Sequence, residues 1–166
     1  IDQLEHYVDL SDIDMIFTTG KPWSTHIIGY DIKKRYNKAW VADFRDEWTN
    51  NVYAEYDTND IRYKMEYALE KKIVNYADII VTTSSVSSDN YRNIFDLPYN
   101  KVRTITNGYD EEDFKDIEPV PTDKFTIVHN GAFYSVRTPY NFLKAVNNLI
   151  DKGKIDINNI NVHFIG

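Results

Sequence analysis

Short unbroken apolar runs alternate along this chain with stretches whose apolar residues recur every three or four positions. A run of four to eight apolar residues bounded by turn residues reads as a buried strand, and the wider recurrence as one face of a helix. Residues 13–19 (IDMIFTT) predict a first strand ending at Gly20, and residues 1–10 read as the end of a preceding helix. Pro22 and Ser24 announce a helix with Ile27, Ile28 and Ile32 on one side. AWVADF (residues 39–44) is the next strand, and residues 48–56 are polar and aromatic and read as loop. Asn59 and Asp60 can cap a long helix with Ile61, Met65, Ala68, Leu69, Ile73, Tyr76 and Ala77 as its apolar face. DIIVTT (78–83) follows as a strand, residues 84–88 cap a helix that fades near Leu97 and Pro98, and VRTIT (102–106) is a short strand. Asn107-Gly108 then reads as a turn that permits positive φ.

Residues 111–123 are acidic, hold Pro119 and Pro121, and read as a linker. Beyond them come a strand at 125–131, a helix at 139–150 with Phe142, Leu143, Val146 and Leu149 or Ile150 on its core face, and a strand at 161–166. Alternating strands and helices force parallel pairing through right-handed crossovers. The expected fold class is therefore α/β, a Rossmann-like parallel sheet with flanking helices. Residues 1–115 make most of one domain, and 116–166 make the linker and first β-α-β of a second. Two strands and one helix bury too little to form a core alone. That piece is expected to dock on the first domain, to pair with another copy, or to belong to a longer protein, the last being favoured. The start at Ile1 rather than Met points the same way.

Composition narrows the chemistry. The net charge is −7, against the basic balance of a nucleic-acid backbone binder. There is no cysteine, which removes disulfides, thiol catalysis and iron–sulfur ligation and fits a reducing compartment. His6, His26, His129 and His163 lie far apart, without metal-ligand spacing. No apolar run approaches the roughly 20 residues of a membrane span, and the start does not read as a signal peptide. Thirteen tyrosines and three tryptophans suit either carbohydrate surfaces or packing.

Five strand ends carry the candidate chemistry, because open α/β sheets bind ligands outside the carboxyl ends of their strands. In PWSTHIIG, His26 falls in the first turn of a helix, where the dipole favours a neutral imidazole, and Gly29 permits close approach. Both also fit a capping histidine and a packing glycine. In DFRDEW, Asp43, Arg45 and Asp46 can bind sugar hydroxyls or act as acid and base, or form an ion pair that pins the loop. In NGAFYSVRTP, Gly131 ends a strand, Pro139 opens a helix, and Arg137 stands between them. Backbone N–H groups and Arg137 there would face an anion such as a diphosphate, or the segment is a plain turn with a surface arginine. Thr83 and Ser84 are most simply a helix cap whose hydroxyls also face the crevice, Asn107 is a turn residue, and Glu70 reads as surface or as half of a helix pair.

In order, these segments resemble the retaining glycosyltransferases of family 4, which have the GT-B fold. The resemblance covers about residues 13–166. It rests on H-x-x-G at His26 and Gly29, the strand end at Asp43, Arg45 and Asp46, AD-x-[IV]-[IV] with serine or threonine beyond it at 77–84, I-x-N-G-[VY]-D at 105–110, and a second-domain opening with a basic residue at 129–137. The chain departs from the pattern at Arg137, which has no lysine after it, and at Thr106, where proline is usual. The family's E-x7-E segment would lie beyond Gly166, and its glycine-rich loop before Ile1.

The resemblance implies transfer of a sugar from a nucleotide-sugar donor to an acceptor hydroxyl with retention, in polysaccharide or glycolipid assembly. The acceptor, a carbohydrate or lipid-linked one, is expected on the first domain and the donor on the second. Gly131 and Arg137 would take the donor diphosphate, with no obligatory metal and no cofactor beyond the nucleotide sugar. His26 and Asp46 would be catalytic, and Gly29, Asp43, Arg45, Thr83, Ser84 and Asn107 would lie on the acceptor and sugar side. The expected location is the cytoplasm or the cytoplasmic face of a membrane in a bacterium, without nucleic-acid partners. An unfinished sheet edge invites pairing of copies. This chain by itself is expected to have little or no activity. The rival expectations are a nucleotide-sugar epimerase of related fold and a non-catalytic binding or scaffolding subunit.

Overall fold

A computed structural model describes residues 2–51, 53–54, 56–134 and 136–166. The chain divides between Tyr109 and Asp110 into two compact units. No helix among the described residues is long and apolar enough to cross a membrane.

The first unit is a four-stranded parallel sheet of β1 (Met15–Gly20), β2 (Ala39–Phe44), β3 (Ile79–Thr82) and β4 (Val102–Thr104), in that spatial order. The connecting helices are α1 (Ser24–Tyr36), α2 (Ile61–Tyr76) and α3 (Ser85–Phe95). Strands laid down in sequential order by right-handed crossovers put every helix on the same face. That face is the core: Trp40, Ala42 and Phe44 of β2 pack with Ile73, Val74 and Ala77 from the α2 end and Tyr91 and Phe95 of α3. The opposite face is open enough that Phe17 is 58% exposed. The expected α/β class with a parallel sheet is what the chain adopts.

Local chemistry sets the element ends. Asp60 accepts from the Arg62 N–H to start α2, and Ser84 accepts from the Ser87 N–H to start α3. Asn37 ends α1 in the left-handed region at φ 51°, a conformation asparagine tolerates. Gly29 lets α1 lie close on the sheet, since a Cβ there would come within 2.7 Å of the Trp40 ring and 2.8 Å of Thr18 Cγ2.

Several local expectations are corrected. Residues 1–10 do not end an α-helix; the described part holds 3-10 turns at Leu4–His6 and, just beyond, Leu10–Asp12. On α1, Ile28 is 48% exposed, and the buried positions are His26, Gly29 and Ile32. Of the expected inward face of α2, Ile73 and Ala77 are buried and Leu69 packs on the core, but the first turns do not follow. Ile61 and Met65 are 74% and 67% exposed, and the buried residues are Glu70, Ile73 and Val74. Gly108 does not have positive φ; 105–110 carries no turn.

The second unit pairs β5 (Phe125–Asn130) with β6 (Ile160–Ile165) in parallel, joined through α4 (Tyr140–Asp151). None of its described residues is buried. Gly131 leaves β5 at φ 148° while its N–H donates to the Ile165 carbonyl at 2.7 Å.

Gly29→Ala should destabilise the chain by about 1–3 kcal/mol through overpacking against Trp40. Gly108→Ala, whose Cβ would meet nothing within 4 Å, should stay within about 0.5 kcal/mol of the parent. Urea unfolding of the two variants checks this, and equal midpoints would contradict it.

Candidate functional site

At the carboxyl ends of β1 and β2 lies a cleft of about 300 Å³ lined by Thr19, Gly20, Lys21, Arg45, Asp46 and Asn107. Residues around it fall into two groups. Some are engaged in holding the fold. The Thr19 hydroxyl donates to Asp43 Oδ2 at 2.9 Å, joining paired positions on β1 and β2. The Thr83 hydroxyl donates to the Arg45 carbonyl at 3.0 Å, which fixes the backbone after β2. Ser84 caps α3. Others stand open. The Arg45 guanidinium and the Asn107 amide have no side-chain partner among the described residues. Asp46 Oδ2 is 4.0 Å from Lys21 Nζ, both side chains more than half exposed.

His26 and Gly29 lie behind this cleft rather than in it. His26 is fully buried, its ring stacked on Phe44 at 4.3 Å and on Trp23 at 6.0 Å. The Trp40 indole N–H donates to Thr18 Oγ1 at 2.9 Å, and the same hydroxyl is 2.8 Å from His26 Nδ1. The Thr18 hydroxyl can accept from Trp40 and either donate to Nδ1 or accept from it, and the ring tautomer sets which. Nε2 is buried without a partner, 2.9 Å from where a Gly20 Cβ would sit. Burial pushes the imidazole down to about 4, so it is neutral at pH 7. The expected neutral form is present, but desolvation rather than the helix dipole is its cause. In this structure the ring lies fully buried behind Gly20 and Trp23, away from the cleft surface. At Gly29 the close approach seen is that of the Trp40 ring.

Sequence reasoning missed a buried carboxylate. Glu70 is 1% exposed and accepts from the Thr49 N–H at 3.0 Å, the Thr49 hydroxyl at 2.5 Å and the Tyr91 hydroxyl at 2.8 Å. Burial raises its pKa against the pull of those donors, and burial beside Glu70 drives the Tyr91 phenol well above its ordinary value. One turn earlier Glu66 accepts from the Trp48 indole at 2.8 Å, from Arg62 Nε at 2.8 Å and from Tyr56. Burial tends to raise Glu66, and the bonds from Tyr56, Arg62 and Trp48 outweigh it, leaving the carboxyl below its ordinary value. The two glutamates thus fasten residues 48–49, just beyond Arg45 and Asp46. The usable signal was the series Tyr63, Glu66, Tyr67, Glu70, Ile73, Val74, Ala77, which keeps helical spacing with Glu70 at its centre.

In the second unit Gly131 and Arg137 bracket the loop between β5 and α4. Arg137 lies over the Tyr134 ring at 5.1 Å, and its N–H donates to the Tyr134 carbonyl at 3.0 Å. Pro139 precedes α4 and supplies no side-chain cap, so first-turn N–H groups lack intrahelical acceptors. Tyr140 N–H makes a long 3.3 Å bond to Thr138 Oγ1. His129 stacks on Phe133 at 4.7 Å beside this loop. Among the described residues no three metal-ligating side chains come together.

No protein-family model matches the chain, and no curated protein sequence matches it. Among solved structures, the chain is similar to HepE from Anabaena, determined in complex with UDP, with a TM-score of 0.51 at 11% identity. The match covers 98% of this chain and 50% of HepE, so the chain spans about half that protein's length. At this identity the likeness is one of fold.

His26 gives the site a pH signature. The unfolded ring takes a proton near pH 6.5, whereas the folded ring resists down to about 4. Its contribution to stability is therefore fully present above pH 6.5 and lost as pH falls toward 4, about 3 kcal/mol in all. Urea unfolding from pH 7 to pH 4 should lose that much more stability in the parent than in His26→Gln. Parallel pH curves would contradict a buried neutral histidine.

Proposed function

We propose that this chain is the acceptor-side domain and the opening of the donor-side domain of a GT-B glycosyltransferase. The enzyme moves a sugar from a nucleotide-sugar donor to an acceptor hydroxyl with retention, in the cytoplasm or at its membrane face, for polysaccharide or glycolipid assembly. The observation that carries this is the polar cleft at the strand ends, where Arg45, Asp46 and Asn107 stand open while their neighbours hold the backbone beneath them. A ligand crevice belongs at that position in an open parallel sheet. The resemblance in motif order supports the family, and the fold shared with a UDP-bound protein supports a uridine nucleotide as donor.

On this reading Asp46 accepts a hydrogen bond from the acceptor hydroxyl and orients it. The leaving diphosphate meets Arg137 and the first-turn N–H groups of α4, fixed dipoles that gain strength as charge builds on the departing oxygen. They make a metal ion unnecessary for that step. His26 is a positioning residue: it fills the wall behind Gly20 and touches neither substrate.

Titration calorimetry with UDP tests the donor half. UDP should bind and uridine should not. Arg137→Ala should weaken UDP about tenfold, the scale of one charge-assisted hydrogen bond, and a chelator should change nothing. Equal binding of UDP and uridine, or an unchanged affinity in Arg137→Ala, would remove the diphosphate site and the transferase reading with it.

A further inference from the structure

We propose that the acceptor for this cleft is an anionic sugar, one whose carboxylate or phosphate is held by Arg45 and Lys21 while a neighbouring hydroxyl donates to Asp46. The inference rests on the glycosyltransferase reading for the word acceptor, and on the cleft alone for the charge.

Hydrogen-bonding capacity carries it. The open groups on the cleft wall are a guanidinium, an ammonium, a primary amide and one carboxylate. A guanidinium has five N–H donors, an ammonium three and an amide two. Against them the side chains offer the oxygens of Asp46, one amide oxygen and the Thr19 hydroxyl, whose proton goes to Asp43. A cleft so rich in donors is best filled by a ligand rich in acceptors. Neutral sugars carry mainly hydroxyls, each of which brings its own donor, whereas carboxylate and phosphate bring acceptors only.

Charge points the same way. Two cations line the cleft and Asp46 is the only carboxylate that does so among the described residues. Lys21 lies at 4.0 Å from Asp46, so the pair largely cancels and Arg45 is left in excess. Of the other acids nearby, Asp43 accepts from Thr19 beside the cleft, and Glu47 accepts from Asn50 and, at 2.9 Å, from Asn90. The chain as a whole is at −7, so this local excess runs against its average.

Arg45 is also prepared for the task. Its carbonyl is held by Thr83 at 3.0 Å, and the segment beyond it by Glu70 through Thr49. The backbone is fixed while the guanidinium stays open, which lowers the ordering cost of a bidentate contact. Asp46 supplies the second point of recognition. An anion with no sugar attached would repel that carboxylate, and a sugar with no anion would leave Arg45 unused.

Amide NMR titration of the full chain with glucuronate, glucose 6-phosphate, glucose and inorganic phosphate tests this. One or both anionic sugars should bind at least about tenfold tighter than glucose. Their shifts should centre on residues 19–21, 45–46 and 107, and their ratio identifies carboxylate or phosphate as the preferred charge. Arg45→Gln, an exposed substitution, should erase the preference and keep the rest of the spectrum. Equal affinity for glucose would overturn the proposal. So would inorganic phosphate as strong as glucose 6-phosphate at these amides, or a preference that survives Arg45→Gln. The donor reading is judged separately, by UDP shifts at residues 129–142, so either can fail while the other stands.

Discussion

Glu70 brings a carboxylate into a core where, among the described residues, no cation meets it. Such a group is tolerated only if donors replace the water it has lost. Three do so: the N–H and hydroxyl of Thr49 and the hydroxyl of Tyr91. The requirement joins three parts of the chain, since Glu70 is on α2, Tyr91 on α3 and Thr49 on the crossing from β2 to α2. Removing any partner would strand a buried polar group, a loss of about 1–3 kcal/mol for a neutral donor and more for the carboxylate. The segment that carries Arg45 and Asp46 is therefore fixed from its far side by the interior of the fold.

The aromatic layer extends the same anchoring. Trp48 stands next to Thr49, donates to Glu66, and stacks on Trp23 at 5.3 Å and 13°. Trp23 in turn covers His26, whose other ring nitrogen closes the Thr18–Trp40 hydrogen-bond chain. Polar groups at the strand ends are thus sorted by the folding requirement itself. Asp43, Thr83 and Ser84 supply bonds that the backbone and neighbouring side chains need. Arg45, Asp46, Lys21 and Asn107 are left to the cleft. On the proposed function, recognition uses what the fold does not consume.

Much of this was legible in the sequence where the cause is local. AWVADF matches β2 residue for residue because Trp40, Ala42 and Phe44 fall at every second position and line the buried face, and Ser84 and Asp60 are caps because their side chains reach N–H groups two or three residues on. What could not be read was non-local. Ile61 and Met65 suggested an apolar face for α2, but the true face is set by Thr49 and Tyr91, each 21 residues from Glu70. Likewise Gly29 looks the same in sequence whether a ligand or the Trp40 ring approaches it. His26 holds a neutral imidazole near a strand end, but through burial, and its distance from the cleft depends on Gly20 and Trp23, which pattern alone cannot weigh. Arg45 and Asp46 survive as cleft residues because their exposure follows from their position past a strand end.

The proposed function divides the chemistry, with an acceptor cleft on the first unit and a diphosphate loop on the second. A crystal structure of the chain soaked with UDP tests it most directly. The diphosphate oxygens are expected within hydrogen-bond distance of the Arg137 guanidinium and the first-turn N–H groups of α4, with the cleft of Lys21, Arg45 and Asp46 left open. A diphosphate seated instead on Arg45 and Lys21, with the Gly131–Arg137 loop empty, would contradict it.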